Sequence, residues 1–537
     1  MNTTHPMSAI GSDAHDGHGN PLVTRRAVLA ASAGAALLSA APRSFAAAFQ
    51  SGRWPADADF ASAREAGRLI RERHVSSLEL TRRMLDRIHR FNPGLNAVVN
   101  VLEEQALAEA RHADSMRSRE ERRLPLHGVP IVIKDQFEIT GVPTTAGLKE
   151  LANYRPKQDS EVVRRLRAAG AIILGNTNVP LFLHDWQSYN AIYGTTNNPW
   201  DPTRTPGGSS GGSAAALAAG LAYFSPGSDM SGSLRVPAHF CGVCAHKPSH
   251  DVVSLRGWFP APSGGVQTRQ ALAVAGPMAR TVGDLRLGME ILGGPDGAEA
   301  LAYRWAMPAP RKRLLKDFTV GFVMDDAACA LDGSMRRPLD SLLETLRRSG
   351  VNLREGWPKG IDPREQFHTY QYIMMANTPL PPGLSRDALR PLAAKGDGSL
   401  GSIFAQAQTD TPDKYAEQIA RQAAARAAWQ AAFADIDVFV MPASFVAAFP
   451  HDHSEPQDAR KLATQAGPRH YLDQMFWSAF ANLAGLPSTA VPVGRTDSGL
   501  PVGVQVMGPF LEDATPLAFA EGIEEVLGGF APPPGFI

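Results

Sequence analysis

Between positions 207 and 233 the chain reads GGSSGGSAAALAAGLAYFSPGSDMSGS, placing seven serines and seven glycines around an alanine-rich run. Few sequences constrain their fold so tightly. A flexible linker is not interrupted by AAALAAGLAYF, and a buried core tolerates hydroxyl groups only where each finds a partner. The block therefore reads as a site: backbone and hydroxyls packed closely together and held by structure elsewhere in the chain.

That structure has an α/β rhythm. Ser76-Ser77-Leu78-Glu79 has capping-box spacing. Leu80, Met84, Leu85 and Ile88 then recur at helical intervals towards Asn92-Pro93-Gly94, which reads as a stop. A further helix is expected near 102–117, and a short strand at Val129 to Ile133 ending in Lys134-Asp135. DSEVVRRLRAA at 159–169 reads as a helix ended by Gly170, and AIILG at 171–175 as a buried strand. Within the serine block GSAAALAAG is a short helix and LAYFS a strand. A long helix at 414–433, strands at 437–442, 488–493 and 502–508, and a last helix at 513–527 complete the pattern. The Pro- and Gly-rich stretch at 378–403 reads as a surface insertion.

The bulk numbers limit the function classes. Lys+Arg and Asp+Glu both number 53, a balance that argues against a nucleic-acid partner. Apolar residues at 44% allow a large core. Three cysteines, Cys241, Cys244 and Cys329, cannot build a disulfide framework. At the N-terminus, Arg25-Arg26-Ala27-Val28-Leu29 leads into AASAGAALLSAA and then PRSFAAAFQ. A charged pair, a short apolar run and a small-residue stretch make a secretory signal over residues 1–46, with cleavage after Ala46 or Ala48. The run is shorter than the roughly 20 residues a membrane span needs, so no stable membrane insertion follows signal removal. The paired arginines resemble a twin-arginine signal, which places the mature chain in the periplasm or outside the cell.

Three chemistries compete for the serine block. A phosphate-binding loop would want G-x-x-x-x-G-K-[ST], and no lysine follows here. Gly207-Gly208-Ser209-Ser210-Gly211 satisfies G-x-S-x-G, so an elbow-type esterase using Ser209 and a histidine base is a second reading. The preceding NNPWDPTRTPGG contains Pro199, Pro202 and Pro206 and cannot be the central strand an elbow requires. The third reading joins the serines to Lys134. A serine hydroxyl needs a base to take its proton, and a lysine is a base only when burial or a neighbouring cation keeps it neutral. Ile131-Val132-Ile133 offers that burial.

On this third reading the chain resembles the amidase signature family. The resemblance is carried by IVIKDQFEITGVPTTAG at 131–147, TPGGSSGGSAAALAAG at 205–220 and GSDMSGSLRVPAHFCGVCAHKPS at 227–249. It continues in NLAGLPSTAVPVG at 482–494 and GLPVGVQVMGP at 499–509. It implies an α/β amidase fold, a large twisted mixed sheet covered by helices on both faces. It also implies one domain over 49–537, with a signature core at about 125–255 and a variable, substrate-lining segment at about 330–410. Carried over position by position, Ser233 is the nucleophile, Ser209 the bridging serine after a cis peptide from Gly208, and Lys134 the base. The oxyanion hole falls to the backbone N–H groups of Met230, Ser231, Gly232 and Ser233. The implied substrate is a small-molecule amide, cleaved through a serine acyl-enzyme to a carboxylate and ammonia or an amine. No metal or organic cofactor is implied, and a homodimer is compatible with the resemblance. One departure bears on activity: Ser231 stands where the family has glycine, so a positive φ there would disable the hole and leave a catalytically silent binding protein on the same scaffold.

Neighbouring residues have their own expected roles. Asp229 and Arg235 are placed to pair and hold the nucleophile loop, with Ser210 supporting the triad. Lys247 could be mistaken for the base, but the triad spacing favours Lys134. Cys241 and Cys244 read as buried small residues rather than half a zinc site. His451 and His453 read as loop residues rather than metal ligands. Trp186, Gln187 and the stretch Tyr370 to Met375 are candidates to face the acyl pocket or to pack in the core.

Overall fold

The computed structural model describes residues 58–116, 123–259, 270–381 and 383–537. The proposed signal over 1–46, including Arg25, Arg26, Ala46 and Ala48, lies outside the described residues. Among the described residues no helix is long and apolar enough to cross a membrane.

Two sheets organise the chain. A three-stranded sheet is built from β1 (Val98–Val101), β2 (Pro130–Lys134) and β3 (Ile172–Thr177). Here β3 is central, antiparallel to β1 and parallel to β2. Every residue of β2 and β3 is buried, which explains their near-continuous apolar sequences. The large sheet has eight strands: β4 (Ser225–Asp229), β5 (Cys244–Lys247), β6 (Val274–Ala279), β7 (Thr319–Phe322), β8 (Asn352–Glu355), β9 (Val438–Pro442), β10 (Ser488–Arg495) and β11 (Pro501–Met507). Their order is β8-β7-β9-β11-β10-β5-β6-β4, parallel among β8, β7 and β9 and antiparallel elsewhere. This is the mixed α/β sheet expected.

The helices at Arg235–Cys241, Val282–Leu292 and Ala514–Leu527 pack on this sheet. A second, aromatic-rich core lies beside it, in which Trp429, Trp477, Phe476 and Phe480 are at most 1% exposed. Burying aromatic side chains of this size stabilises the fold by roughly 1.5–3 kcal/mol each. This core supports the helices Pro363–Ala376 and Met475–Leu483, which later form one wall of the site.

Local signals explain most boundaries. Ser76 and Glu79 form the reciprocal capping box, with Ser76 Oγ accepting from Glu79 N at 3.1 Å and Glu79 Oε2 accepting from Ser76 N at 2.9 Å. This helix does not stop at Asn92-Pro93-Gly94. It runs through Pro93 to Leu95, and Asn96 ends it in the left-handed conformation at φ 52°. Proline there costs little because it falls in the last turn, and Asn92 closes the end by accepting from Ala97 N and Val98 N.

The expected strand LAYFS is also displaced. After Gly220, Tyr223 N donates to Pro130 O and Val132 N donates to Phe224 O, so this segment runs beside β2. The ladder of the large sheet begins only at Ser225. Thus β4 is SPGSD, and as an end strand of the sheet it accommodates Pro226. The same two hydrogen bonds bring the end of β2 against β4, which places Lys134 next to Ser228. The stretch 378–403 is not irregular throughout: it carries the helix Arg386–Ala393 and the start of Leu400–Thr409.

Candidate active site

Four chain segments meet at the junction of the two sheets. Lys134 ends β2, Ser228 and Asp229 end β4, Ser209 lies in the loop before the helix Gly211–Ala218, and Ser233 lies in the loop before Arg235–Cys241. Lys134 Nζ is 2.7 Å from Ser209 Oγ and 2.9 Å from Ser228 Oγ. Lys134 is fully buried, and that burial lowers its pKa from 10.5 to about 7 against the opposing attraction of Asp229. An amine in this state is neutral often enough near neutral pH to serve as a base.

The peptide between Gly208 and Ser209 is cis. Gly208 is required by close approach, since a Cβ there would sit 2.3 Å from Asp185 O. Ser209 is 1% exposed, whereas Ser233 borders an open cavity of about 360 Å³. Ser210 links the two serine loops, its N–H donating to Ser233 O at 3.2 Å.

The loop carrying Ser233 is held by a buried ion pair. Arg235 Nη2 and Nε donate to the two oxygens of Asp229 at 2.8 and 3.0 Å, and both side chains are wholly buried. Burial alone would raise the Asp229 pKa, but the Arg235 guanidinium holds it below the usual carboxylate range. Arg235 is further satisfied by Gln505 Oε1 at 2.6 Å and by Asn482. Breaking such a pair by removing one partner typically costs about 3–5 kcal/mol, because the other charge is left buried.

Asp229 Oδ1 also accepts from Gly232 N at 2.9 Å, which corrects the expected oxyanion hole. The Gly232 N–H is committed to the carboxylate, leaving the N–H groups of Met230, Ser231 and Ser233 as candidates. The glycine requirement in this loop falls at Gly232, with φ 85°, and Ser231 is not among the residues with positive φ. Serine at 231 therefore needs no left-handed backbone. The loop's carbonyls are clamped from outside, with Trp186 Nε1 donating to Ser231 O at 2.8 Å and Tyr370 Oη to Met230 O at 3.0 Å. Both clamps orient peptide planes beside Ser233.

Other singled-out residues separate cleanly. Lys247 is also buried with a pKa lowered to about 7, by burial first and by Arg235 next, but its Nζ donates to Pro248 O at 2.8 Å. Cys241 and Cys244 are fully buried free thiols. His451 Nε2 lies 3.1 Å from Asn197 Oδ1, and His453 stacks on Tyr189 with centroids 3.7 Å apart. Among the described residues Ser209 Oγ is met by Lys134 Nζ rather than by a histidine. Gln187 is buried and donates to Asp452 O at 2.5 Å. Trp186, Met374 and Met375 border the cavity at Ser233, while Tyr370 and Ile373 are buried in the core.

Sequence reasoning missed Ser228 and Gln136. Ser228 Oγ donates to Gln136 Oε1 at 2.6 Å. Their only sequence signal is proximity to Asp229 and Lys134, which does not say that their side chains converge.

A family model described as Amidase matches residues 79–517. The chain is 33% identical over 503 residues to a glutamyl-tRNA(Gln) amidotransferase component of Anaeromyxobacter dehalogenans (strain 2CP-C), covering 88% of this chain and 97% of that protein. A solved amidase superposes with a TM-score of 0.70 at 28% identity, covering 87% of this chain and all of the other. A 6-aminohexanoate cyclic dimer hydrolase shares the fold with a TM-score of 0.73 at 23% identity, covering 89% of this chain and 99% of the other.

Proposed function

The chain belongs to the amidase family, and we propose that Ser233, Ser209 and Lys134 make it a hydrolase of small apolar carboxamides. The observation that carries this reading is the neutralising burial of Lys134 at 2.7 Å from Ser209, beside a cavity that Ser233 borders. Ser233 Oγ attacks the amide carbonyl as its proton passes to Ser209, whose own proton passes to Lys134 Nζ. The N–H groups of Met230, Ser231 and Ser233 face the developing oxyanion, each worth roughly 3–4 kcal/mol in such a role. The tetrahedral adduct collapses, the leaving nitrogen takes the proton back through Ser209, and water hydrolyses the acyl-enzyme by the same relay in reverse.

The cavity lining supports the substrate class. Met230, Met374, Met375, Met475, Leu400 and Leu472 line it, with His184, Asp185, Gln457 and Asp458 at polar positions. Methionines suit flexible apolar groups of varied shape. The volume of about 360 Å³ sits at the small end of ligand sites, which run from about 300 to 1,000 Å³. Free glutamine would need a cation for its α-carboxylate, and no lysine or arginine borders this cavity among the described residues. In a series of linear carboxamides, kcat/KM should rise up to about fourfold per added methylene, roughly 0.8 kcal/mol each, until the cavity is full. Met374→Trp should end that rise at a shorter chain. Preference for glutamine over hexanamide would overturn the reading in favour of an ammonia-producing amidotransferase component.

We also propose export to the periplasm, on the strength of Arg25-Arg26 and the apolar run that follows. Protein recovered from a periplasmic fraction should begin at Ala47 or Phe49. Replacing both arginines with lysine should leave a longer chain in the cytoplasm. Retention of wild-type protein in the cytoplasm with its N-terminus intact would refute export.

A further inference from the structure

A neutral amine has two N–H bonds and one lone pair, and proton relay works only if the lone pair faces the relaying hydroxyl. Lys134 Nζ has two close oxygens, Ser209 Oγ at 2.7 Å and Ser228 Oγ at 2.9 Å. Burial alone does not decide which of them receives an N–H and which meets the lone pair. The surrounding hydrogen bonds do.

The chain of donors begins at Gln136, which is 2% exposed. Its Nε2 donates to the backbone carbonyl of Phe259 at 3.0 Å. A carbonyl can only accept, so the amide orientation is set and Oε1 must face Ser228. Ser228 Oγ lies 2.6 Å from that Oε1, and an amide oxygen can only accept. The single proton of Ser228 is therefore committed to Gln136. Towards Lys134, Ser228 Oγ has only lone pairs to offer, and so it must receive an N–H from the amine.

We propose that Gln136 and Ser228 are positioning residues that hold an N–H of neutral Lys134 on Ser228 and turn its lone pair towards the Ser209 hydroxyl. From Ser209 onward the bonds then run in one direction: Ser209 to Lys134, Lys134 to Ser228, Ser228 to Gln136, and Gln136 to Phe259 O. During acylation the Ser209 proton moves onto Lys134, and the new ammonium keeps Ser228 Oγ as an acceptor. Neither Ser228 nor Gln136 lines the cavity at Ser233. The inference rests on the role of Lys134 as base proposed above.

The test compares wild type with Ser228→Ala, Ser228→Thr and Gln136→Met. The readouts are kcat and KM on a carboxamide, the pH profile of kcat/KM, and the rate of fluorophosphonate labelling mapped by mass spectrometry. Ser228→Ala should lower kcat and the labelling rate roughly 10- to 100-fold with KM little changed, since a misdirected base loses most of its contribution. Its acid limb should move to lower pH, because the ammonium loses an acceptor and its charged form is disfavoured. The charge that acts on Lys134 is Asp229, paired with Arg235; Lys247 feels both of those, and Asp135 follows Lys134 in the chain. All four remain in every variant, so the shift reports on Ser228. Ser228→Thr keeps the hydroxyl and should recover activity to within about threefold of wild type. Gln136→Met should lower kcat in the same direction with thermal stability near wild type, which covers the case in which Ser228→Ala does not fold.

Wild-type kcat with an unmoved acid limb in Ser228→Ala or Gln136→Met would overturn the proposal. So would a threonine variant no better than alanine. If wild type itself carries no label on Ser233, the reading of the triad fails first, and that outcome is distinct from either of these.

Discussion

Ser233→Ala is expected to abolish acylation, with kcat falling at least about 10⁴-fold and no covalent adduct forming with a fluorophosphonate. The expectation rests on access as much as on chemistry. Ser233 borders the cavity, whereas Ser209 is 1% exposed and sits between Ser233's loop and Lys134. Ser209→Ala should therefore behave differently. It removes the relay but leaves the nucleophile, so labelling should remain on Ser233 and slow by roughly 10²- to 10⁴-fold. An elbow enzyme would show the reverse, with Ser209 labelled and Ser233→Ala active. Peptide mapping after labelling of wild type and both variants separates the two outcomes. An adduct on Ser209 would sink the relay, and no adduct on wild type would point to a silent scaffold.

The second large effect belongs to Lys134. Because burial lowers its pKa to about 7, the acid limb of kcat/KM should fall near that pH, with activity dropping about tenfold per unit below it. Lys134→Arg should be inactive, since a guanidinium stays charged and cannot accept a proton. Lys134→Met should be equally inactive yet more stable, and the sign follows from linkage. The group's pKa is lower folded than unfolded, so below pH 10.5 the unfolded chain binds the proton more readily. The resulting penalty on the fold is complete below about pH 7 and fades as pH rises towards 10.5. Methionine removes it, with a gain on the order of 1–4 kcal/mol. Thermal unfolding of both proteins at pH 6 and pH 10 checks this: the Met variant should gain most at pH 6. Loss of stability at pH 6 would mean that Lys134 is charged and well paired, and therefore not the base.

The site was legible wherever chemistry is carried by residue type and spacing. The three aliphatic residues before Lys134 foretold its burial, and Asp229 six positions before Arg235 foretold their pairing, while the roles of Lys134 and Ser209 came from the resemblance to the amidase signature family. Where the outcome depended on directions, the sequence misled. Four consecutive residues, 230–233, looked equivalent as amide donors, yet the Asp229 carboxylate takes the Gly232 N–H and removes it from the set. Ser231 looked like a threat to the loop, yet the left-handed residue is the next one along. LAYFS had strand composition, but its hydrogen bonds go to β2 rather than to the large sheet. Helical periodicity located Ser77–Leu95, but its end was set by Asn92 side-chain bonds and not by Pro93.

By itself, then, the sequence determined the α/β class and the apolar run that buries Lys134, because these follow from local patterns; it points to Ser233, Ser209 and Lys134 as a relay only through its resemblance to the amidase signature family. Only the tertiary structure decided how those groups face one another. Lys134 and Ser228 are 94 positions apart, and Gln136 and Ser228 are 92 apart. They meet because β2 docks against β4, an encounter no local pattern encodes. The cavity is likewise assembled from Trp186, Met230, Met374 and Met475, residues from separate segments of the chain. Hydrogen-bond direction and cavity shape are properties of groups brought together across such distances. They arise when the core closes and the buried polar atoms must all find partners at once.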